Sequence, residues 1–210
     1  MDITQIIEQM DKLFPDAKTE LEYSTAFQFV VAVILSAQST DKQVNKVTAH
    51  LFEKIKNPKD VLDMWEEWLK QGIKSIGFFN MKAKNIFKLA GILNENNDKI
   101  PDDLEELKRL PWIWLKTAKL VLNQIYGKNY IPVDTHVQRI STRLWLTNFA
   151  QPEKTSELLE QIIPEKYKAK AHHSMIFFGR YFCTAKNPKC LTSGECPFIW
   201  FCKYYNSLKK

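Results

Sequence analysis

Residues 24–38, STAFQFVVAVILSAQ, constrain the fold more than any other part of the chain. The run is nearly all apolar, so it has no face to offer to water and must lie inside. It reads as a buried central helix, with Ser24 as the N-cap. No apolar run in the chain is long enough to span a bilayer.

The remaining segments supply helices to cover it. TDKQVNKVTAHLFEKI places Val44, Val47, Leu51 and Ile55 on one helical face. NMKAKNIFKLAGILNEN does the same with Ile86, Leu89, Ile92 and Leu93. DDLEELKRL and LKTAKLVLNQIYG predict two helices joined by a very short connection. DTHVQRISTRLWL, TSELLEQIIP and KAKAHHSMIFFGRYF predict three more. Prolines at 15, 58, 101, 111, 132, 152 and 164 mark the joints. Strand-like alternation is scarce, so the expected class is all-α.

A net charge of +6 suits a polyanionic partner such as nucleic acid. The lysines are spread along folded segments (KNPK, NMKAKNIFK, LKTAK, EKYKAKAHH) and form no polybasic tail, so a partner would meet a folded surface. The first segment, MDITQIIEQMDKLF, carries acids on an amphipathic pattern and is no signal peptide, which points to the cytoplasm. No segment signals oligomerisation, so a monomer is the default expectation.

All four cysteines sit near the C-terminus: Cys183, Cys190, Cys196 and Cys202. Clustering of this kind in a cytoplasmic chain favours a metal site over a disulfide framework. The spacing C-x6-C-x5-C-x5-C has no C-x2-C knuckle of the zinc-ribbon kind. Four thiolates with wider gaps suit a larger object, such as a cubane iron–sulfur cluster. Lys186, Lys189 and Lys203 lie close by in sequence and would offset its negative charge.

The segment RLPWIWLKTAK reads as a helix, a tight turn and a second helix. Backbone N–H groups at the start of the second helix would point at a phosphate. Lys116 falls in that first turn. The helix dipole together with partial burial would favour its neutral amine, a nucleophile able to form a Schiff base. Eighteen positions later, in PVDTH, Asp134 is placed to cap the next helix, or to act in proton transfer or beside a sugar cation. His136, His172 and His173 read as structural histidines.

Hairpin, lysine, aspartate and four C-terminal cysteines in this order resemble the endonuclease III family of DNA repair glycosylases. ILSAQSTDKQVNK, IKSIGFFNMKAKNI, LPWIWLKTAKLVLN, VDTHVQRI and HHSMIFFGRYFCTAKNPKC are similar to its signature segments, and the resemblance covers nearly the whole chain. It implies a six-helix domain over 20–129 and a cluster domain made of 1–19 and 130–210. It also implies a 4Fe–4S cluster on the four cysteines. The activity it implies is removal of oxidised pyrimidines from double-stranded DNA, followed by strand cleavage at the abasic site. Lys116 matches the lysine that forms an imine at the sugar C1′, and Asp134 the assisting carboxylate. Gln38 matches the residue that fills the hole left by the extruded nucleotide, and Phe78 an apolar wedge. Pro111, Trp112, Ile113, Trp114 and Thr117 match the phosphate-binding hairpin. Two alternatives stay open: a cluster-bearing DNA-binding protein without turnover, and a monofunctional glycosylase, against which Lys116 argues.

The chain departs from the family twice. The family's cysteine spacing is x6, x2, x5, so this chain has three extra residues in its middle gap. In the hairpin, both positions where the family has glycine are tryptophan. Trp65, Trp68 and Trp145 also fall where relatives carry glycine. Glycine itself is scarce, six in 210 residues or about 3%, against an average near 7%. One reading is a genuine Trp-bearing hairpin with impaired or altered DNA binding. The other, which we favour, is that UGA codons meaning glycine in the source organism are written here as tryptophan.

Overall fold

The computed structural model describes residues 1–208, and every regular element among them is helical. Backbone contacts divide the chain into two compact units, one of Glu20–Gly127 and one of Met1–Thr19 together with Lys128 onward.

The first unit is built around α2 (Ala26–Ser36), in which nine of the eleven residues are buried. It packs against α3 (Asp41–Lys54), α6 (Phe79–Glu95) and α8 (Leu115–Tyr126). Thr25, not Ser24, is the N-cap. The Thr25 hydroxyl accepts from Gln28 N–H at 3.1 Å, and Gln28 Oε1 accepts from the backbone N–H groups of Ser24 and Thr25. This reciprocal capping box needs Gln or Glu three residues after the cap, which Thr25 has and Ser24 lacks. Gln28 is itself buried and donates to the carbonyls of Phe52 and Ile55, so its amide is satisfied.

The short helices α4 (Pro58–Leu62) and α5 (Glu66–Gly72) lie between α3 and α6 in sequence, and α7 (Leu104–Arg109) precedes α8. The core face of α3 is Val44, Thr48 and Leu51, whereas Val47 is only half-buried. On α6, Ala83 and Ala90 join Ile86, Leu89 and Leu93 in the core, and Ile92 faces out. The expected stripes were each one position wide of the true face.

In the second unit α1 (Ile3–Leu13) packs on α11 (Glu165–Phe177). Capping by Asp2 and Gln5 starts α1. Helix α9 (Thr135–Arg143) contacts α10 (Pro152–Ile162), α11 and α13 (Lys203–Ser207). Beyond Phe177 the helix widens into a π-turn, Phe178–Phe182, closed by Cys183 N–H to Phe178 O at 2.7 Å. Such turns concentrate at functional sites, and this one delivers the first cysteine. α12 (Lys189–Thr192) is a single turn carrying the second. Among the described residues, no helix is long and apolar enough to cross a membrane.

Candidate nucleic-acid interface and cysteine centre

The hairpin of the first unit runs from Leu110 to Trp114. Ile113 N–H donates to Leu110 O at 3.2 Å, with Pro111 and Trp112 between them and Trp112 at φ +62°. Proline at the second position and positive φ at the third form the pattern of a type II turn, whose third position ordinarily needs glycine. Ile113 is only 2% exposed, so its side chain anchors the turn in the core and leaves only its backbone for a ligand. Pro111 and Thr117 are half-buried, and Trp114 is 71% exposed.

Among the described residues no side chain caps α8, in contrast to α7, where Asp103 accepts from Glu105 and Glu106. The first helical bond joins Ala118 N–H to Trp114 O at 2.8 Å. The N–H groups of Leu115, Lys116 and Thr117 are therefore left for a partner outside the helix. Lys116 is exposed and forms no ion pair among the described residues. The partial burial expected for it is absent, because the second residue of an uncapped helix projects past the end of the core.

A second cluster of the same unit joins Gln38 and Phe78. Ser39 N–H donates to Ser36 O at 3.0 Å, Ala37 has φ −57° and ψ 116°, and Gln38 has φ +57°. This too is a type II turn, with Gln38 at the position that disfavours a side chain. Phe78 starts α6 at φ +58° and is 60% exposed. A Cβ placed on the adjoining Gly77 would lie 3.7 Å from Gln38 O, so the two turns touch. Strained backbone of this kind gathers at ligand-contacting sites. Gln38, Phe78 and Trp112 are three of the six non-glycine residues with positive φ among the described residues.

Beneath them lies a residue that the sequence reading missed. Lys82 is 0% exposed, and its Nζ donates to Leu35 O at 2.9 Å and Ala37 O at 2.6 Å. Burial lowers its pKa from 10.5 to about 8. Its only signal in the sequence is a lysine at a position that periodicity assigns to the core face of α6.

In the other unit Asp134 is the N-cap of α9. Its Oδ1 accepts from His136 N–H at 2.9 Å and Val137 N–H at 2.8 Å, while Oδ2 has no hydrogen-bond partner among the described residues. His136 is half-buried and its pKa is lowered, mainly by burial, against the raising effect of Asp134. It packs under the π-turn, where a Cβ on Gly179 would come within 2.8 Å of His136 Cβ. His172 is buried, and burial lowers the pKa of His173, as for structural histidines.

The four cysteines are free and buried within one apolar cluster. All five residues between Cys190 and Cys196 are exposed, and Gly194 turns the chain there at φ +72°. The longer middle gap thus lies on the surface while the cysteines on either side of it stay buried. Burial pushes the thiols of Cys183, Cys190 and Cys196 up, Cys196 to about 12, and the thiols' mutual repulsion reinforces this. As thiolates, the set needs a cationic group among them.

Arg143, 8% exposed, donates from Nη1 to Cys183 Sγ at 3.1 Å and to Thr184 O, and from Nη2 to Ala185 O. Arg139, one turn earlier, donates to Cys183 O and Gly179 O. These two arginines hydrogen-bond to the start of the cysteine loop. Lys186, Lys189 and Lys203 are exposed, and Lys189 and Lys203 lie over the rings of Phe182 and Trp145. The clue was two arginines four residues apart on one face of α9.

The tryptophans divide by backbone. Trp145 follows α9 at φ +61°, with Leu146 N–H to Ser141 O at 2.8 Å and Trp145 N–H to Thr142 O at 3.4 Å. That is a Schellman ending with tryptophan at the glycine position. Trp112 and Trp145 therefore sit where the backbone calls for glycine. Trp65 and Trp114 are N-caps in extended conformation without a cap hydrogen bond, and glycine is well tolerated there. Trp68 lies inside α5, where nothing in the backbone calls for glycine.

Residues 31–165 match the family model of the HhH-GPD superfamily base excision DNA repair protein. The chain is 45% identical over 206 residues to endonuclease III of Rickettsia felis, covering 98% of this chain and 95% of that protein. It is 38% identical over 201 residues to the Escherichia coli K12 enzyme, covering 95% and 94%. A solved structure of a trapped endonuclease III–DNA covalent intermediate superposes with a TM-score of 0.93 at 40% identity, covering 99% of this chain and 97% of that one. The chain belongs to the endonuclease III family of the HhH-GPD superfamily.

Proposed function

We infer that this chain is a base-excision repair DNA glycosylase that removes oxidised pyrimidines from duplex DNA and then cleaves the strand at the abasic site. The observation that carries this is Lys116, an unpaired amine beside three open N–H donors at the start of α8, in a chain so similar to one trapped covalently on DNA.

The chemistry assigns each residue a task. The open N–H groups of α8 hold a backbone phosphate. The Lys116 amine, once deprotonated, bonds to the sugar C1′ as the N-glycosidic bond breaks. The base leaves with that electron pair and takes up a proton. Loss of the nitrogen's proton and opening of the ring leave an imine. Removal of a C2′ proton then breaks the 3′ C–O bond, and the phosphate departs with the pair. The free Oδ2 of Asp134 suits proton transfer or support of the developing sugar cation, while Oδ1 stays on its cap. Gln38 and Phe78 supply the filler and wedge that offset lost stacking when the nucleotide is extruded.

Cys183, Cys190, Cys196 and Cys202 would hold a 4Fe–4S cluster. Supporting this are four buried thiols close enough to act electrostatically on one another. When bound, such a group supplies iron–thiolate bonds that tie the 183–202 loop together. Neither a DNA-binding protein without turnover nor a monofunctional glycosylase is favoured, since Lys116 is present and accessible.

A duplex carrying one oxidised pyrimidine tests the assignment. The Trp112→Gly/Trp114→Gly chain should cut the lesion strand at that base and bind abasic duplex more tightly than the chain as written. An uncut strand at enzyme excess would contradict the activity, and unchanged affinity would contradict the hairpin's role.

A further inference from the structure

Type I and type II turns differ chiefly by a flip of the central peptide, and type II forces positive φ on the third residue. In the turn Ser36–Ala37–Gln38–Ser39 that peptide joins Ala37 to Gln38, and its carbonyl is the one Lys82 Nζ grips at 2.6 Å. A non-glycine residue is not expected to choose φ +57° unaided, because a type I turn would relieve the strain. The second bond, to Leu35 O at 2.9 Å, fixes the ammonium to the end of α2. Lys82 is also tied to the other strained residue, since its N–H donates to Phe78 O at 3.0 Å. Its side chain therefore holds the first turn, while its backbone makes the opening helical bond at the second.

Burying an ammonium is costly, and an apolar side chain would fill the same space more favourably. A lysine kept there is better explained by what it orients than by stability. We propose that Lys82 is a positioning residue for base extrusion: it locks the 37–38 peptide in its flipped orientation and so aims Gln38, beside Phe78, into the DNA stack. This rests on the glycosylase/lyase reading above, and on Gln38 being the residue that fills the vacated space.

The experiment compares Lys82→Met with the parent on two substrates, both chains carrying the glycine hairpin. One is a duplex containing a stable abasic analogue, read as Kd. The other is a single-stranded abasic oligonucleotide, read as borohydride-trapped adduct, which needs no filling of a duplex stack. We expect Lys82→Met to weaken duplex binding by about tenfold or more, since small misplacements at a site are expensive. Trapping on the single strand should stay within about twofold, a change too small to signal lost chemistry. In a Gln38→Ala background, Lys82→Met should add little further loss on the duplex.

Equal losses on both substrates, an unaffected duplex, or an undiminished loss without Gln38 would each overturn the proposal. Absence of single-strand adduct in the parent chain would instead overturn the lyase reading. If Lys82→Met does not fold, Lys82→Leu, which likewise offers no donor to Ala37 O, carries the same comparison.

Discussion

Trp112 and Trp145 hold φ at +62° and +61°, and this makes a prediction whose sign can be worked from the backbone. At each position the indole is removed twice, once to alanine and once to glycine, so that lost packing nearly cancels between the two variants. Alanine keeps the left-handed penalty of about 1–2 kcal/mol. Glycine escapes it but gives up about 0.5–1 kcal/mol through its freer unfolded chain. Glycine should therefore be the more stable of the pair by about 1 kcal/mol at both positions. Trp68 is the control, because it lies inside α5 and there alanine should win by about 1 kcal/mol. For a chain of this size that is a Tm difference of about 2–4 °C, with opposite sign at the control. Denaturant titration with unchanged m-values reads the same quantity at one temperature. Alanine equal to or better than glycine at 112 and 145 would refute the backbone argument. The gene gives a separate test of the glycine reading, which UGG codons at these positions would end.

Other expectations follow from particular contacts. Gly179→Ala puts a methyl 2.8 Å from His136 Cβ and should cost about 1–3 kcal/mol of unfolding free energy. Gly91→Ala, with nothing within 4 Å, should instead stabilise α6 by about 0.5–1 kcal/mol. Arg143→Leu strands the acceptors Cys183 Sγ, Thr184 O and Ala185 O, so iron bound per chain after reconstitution should fall. Lys82 binds its proton less tightly folded than unfolded, with a pKa of about 8 against 10.5. Between those values the unfolded state carries the extra proton, so this group makes stability rise with pH there. The unfolding free energy of the parent minus that of Lys82→Met should climb from pH 8 to 10, and a flat or falling difference would contradict the burial of charge.

Much of this was legible because the chemistry lies in side chains whose order the sequence prints. Lys116, Asp134 and the four cysteines needed no coordinates to be named, and the apolar run at 24–38 required a central helix. What stayed hidden depends on backbone angles and on burial. The left-handed turns at Gln38 and Phe78 carry no glycine to announce them. Lys82 looks like any surface lysine until the helix register places it inside. Ser24 and Thr25 are both good caps, and only Gln28 decides between them. Burial of Lys116 was expected wrongly, because a helix end near a turn stands clear of the core. The longer gap between Cys190 and Cys196 was plain in the sequence, but not that all five residues within it would be exposed.

Borohydride trapping on abasic DNA tests the central claim most directly. The glycine-hairpin chain should form a covalent adduct of the protein's mass plus the sugar-linked strand, and Lys116→Ala should lose it while remaining folded by circular dichroism. An adduct that persists in Lys116→Ala, or none in the parent chain, would contradict the account.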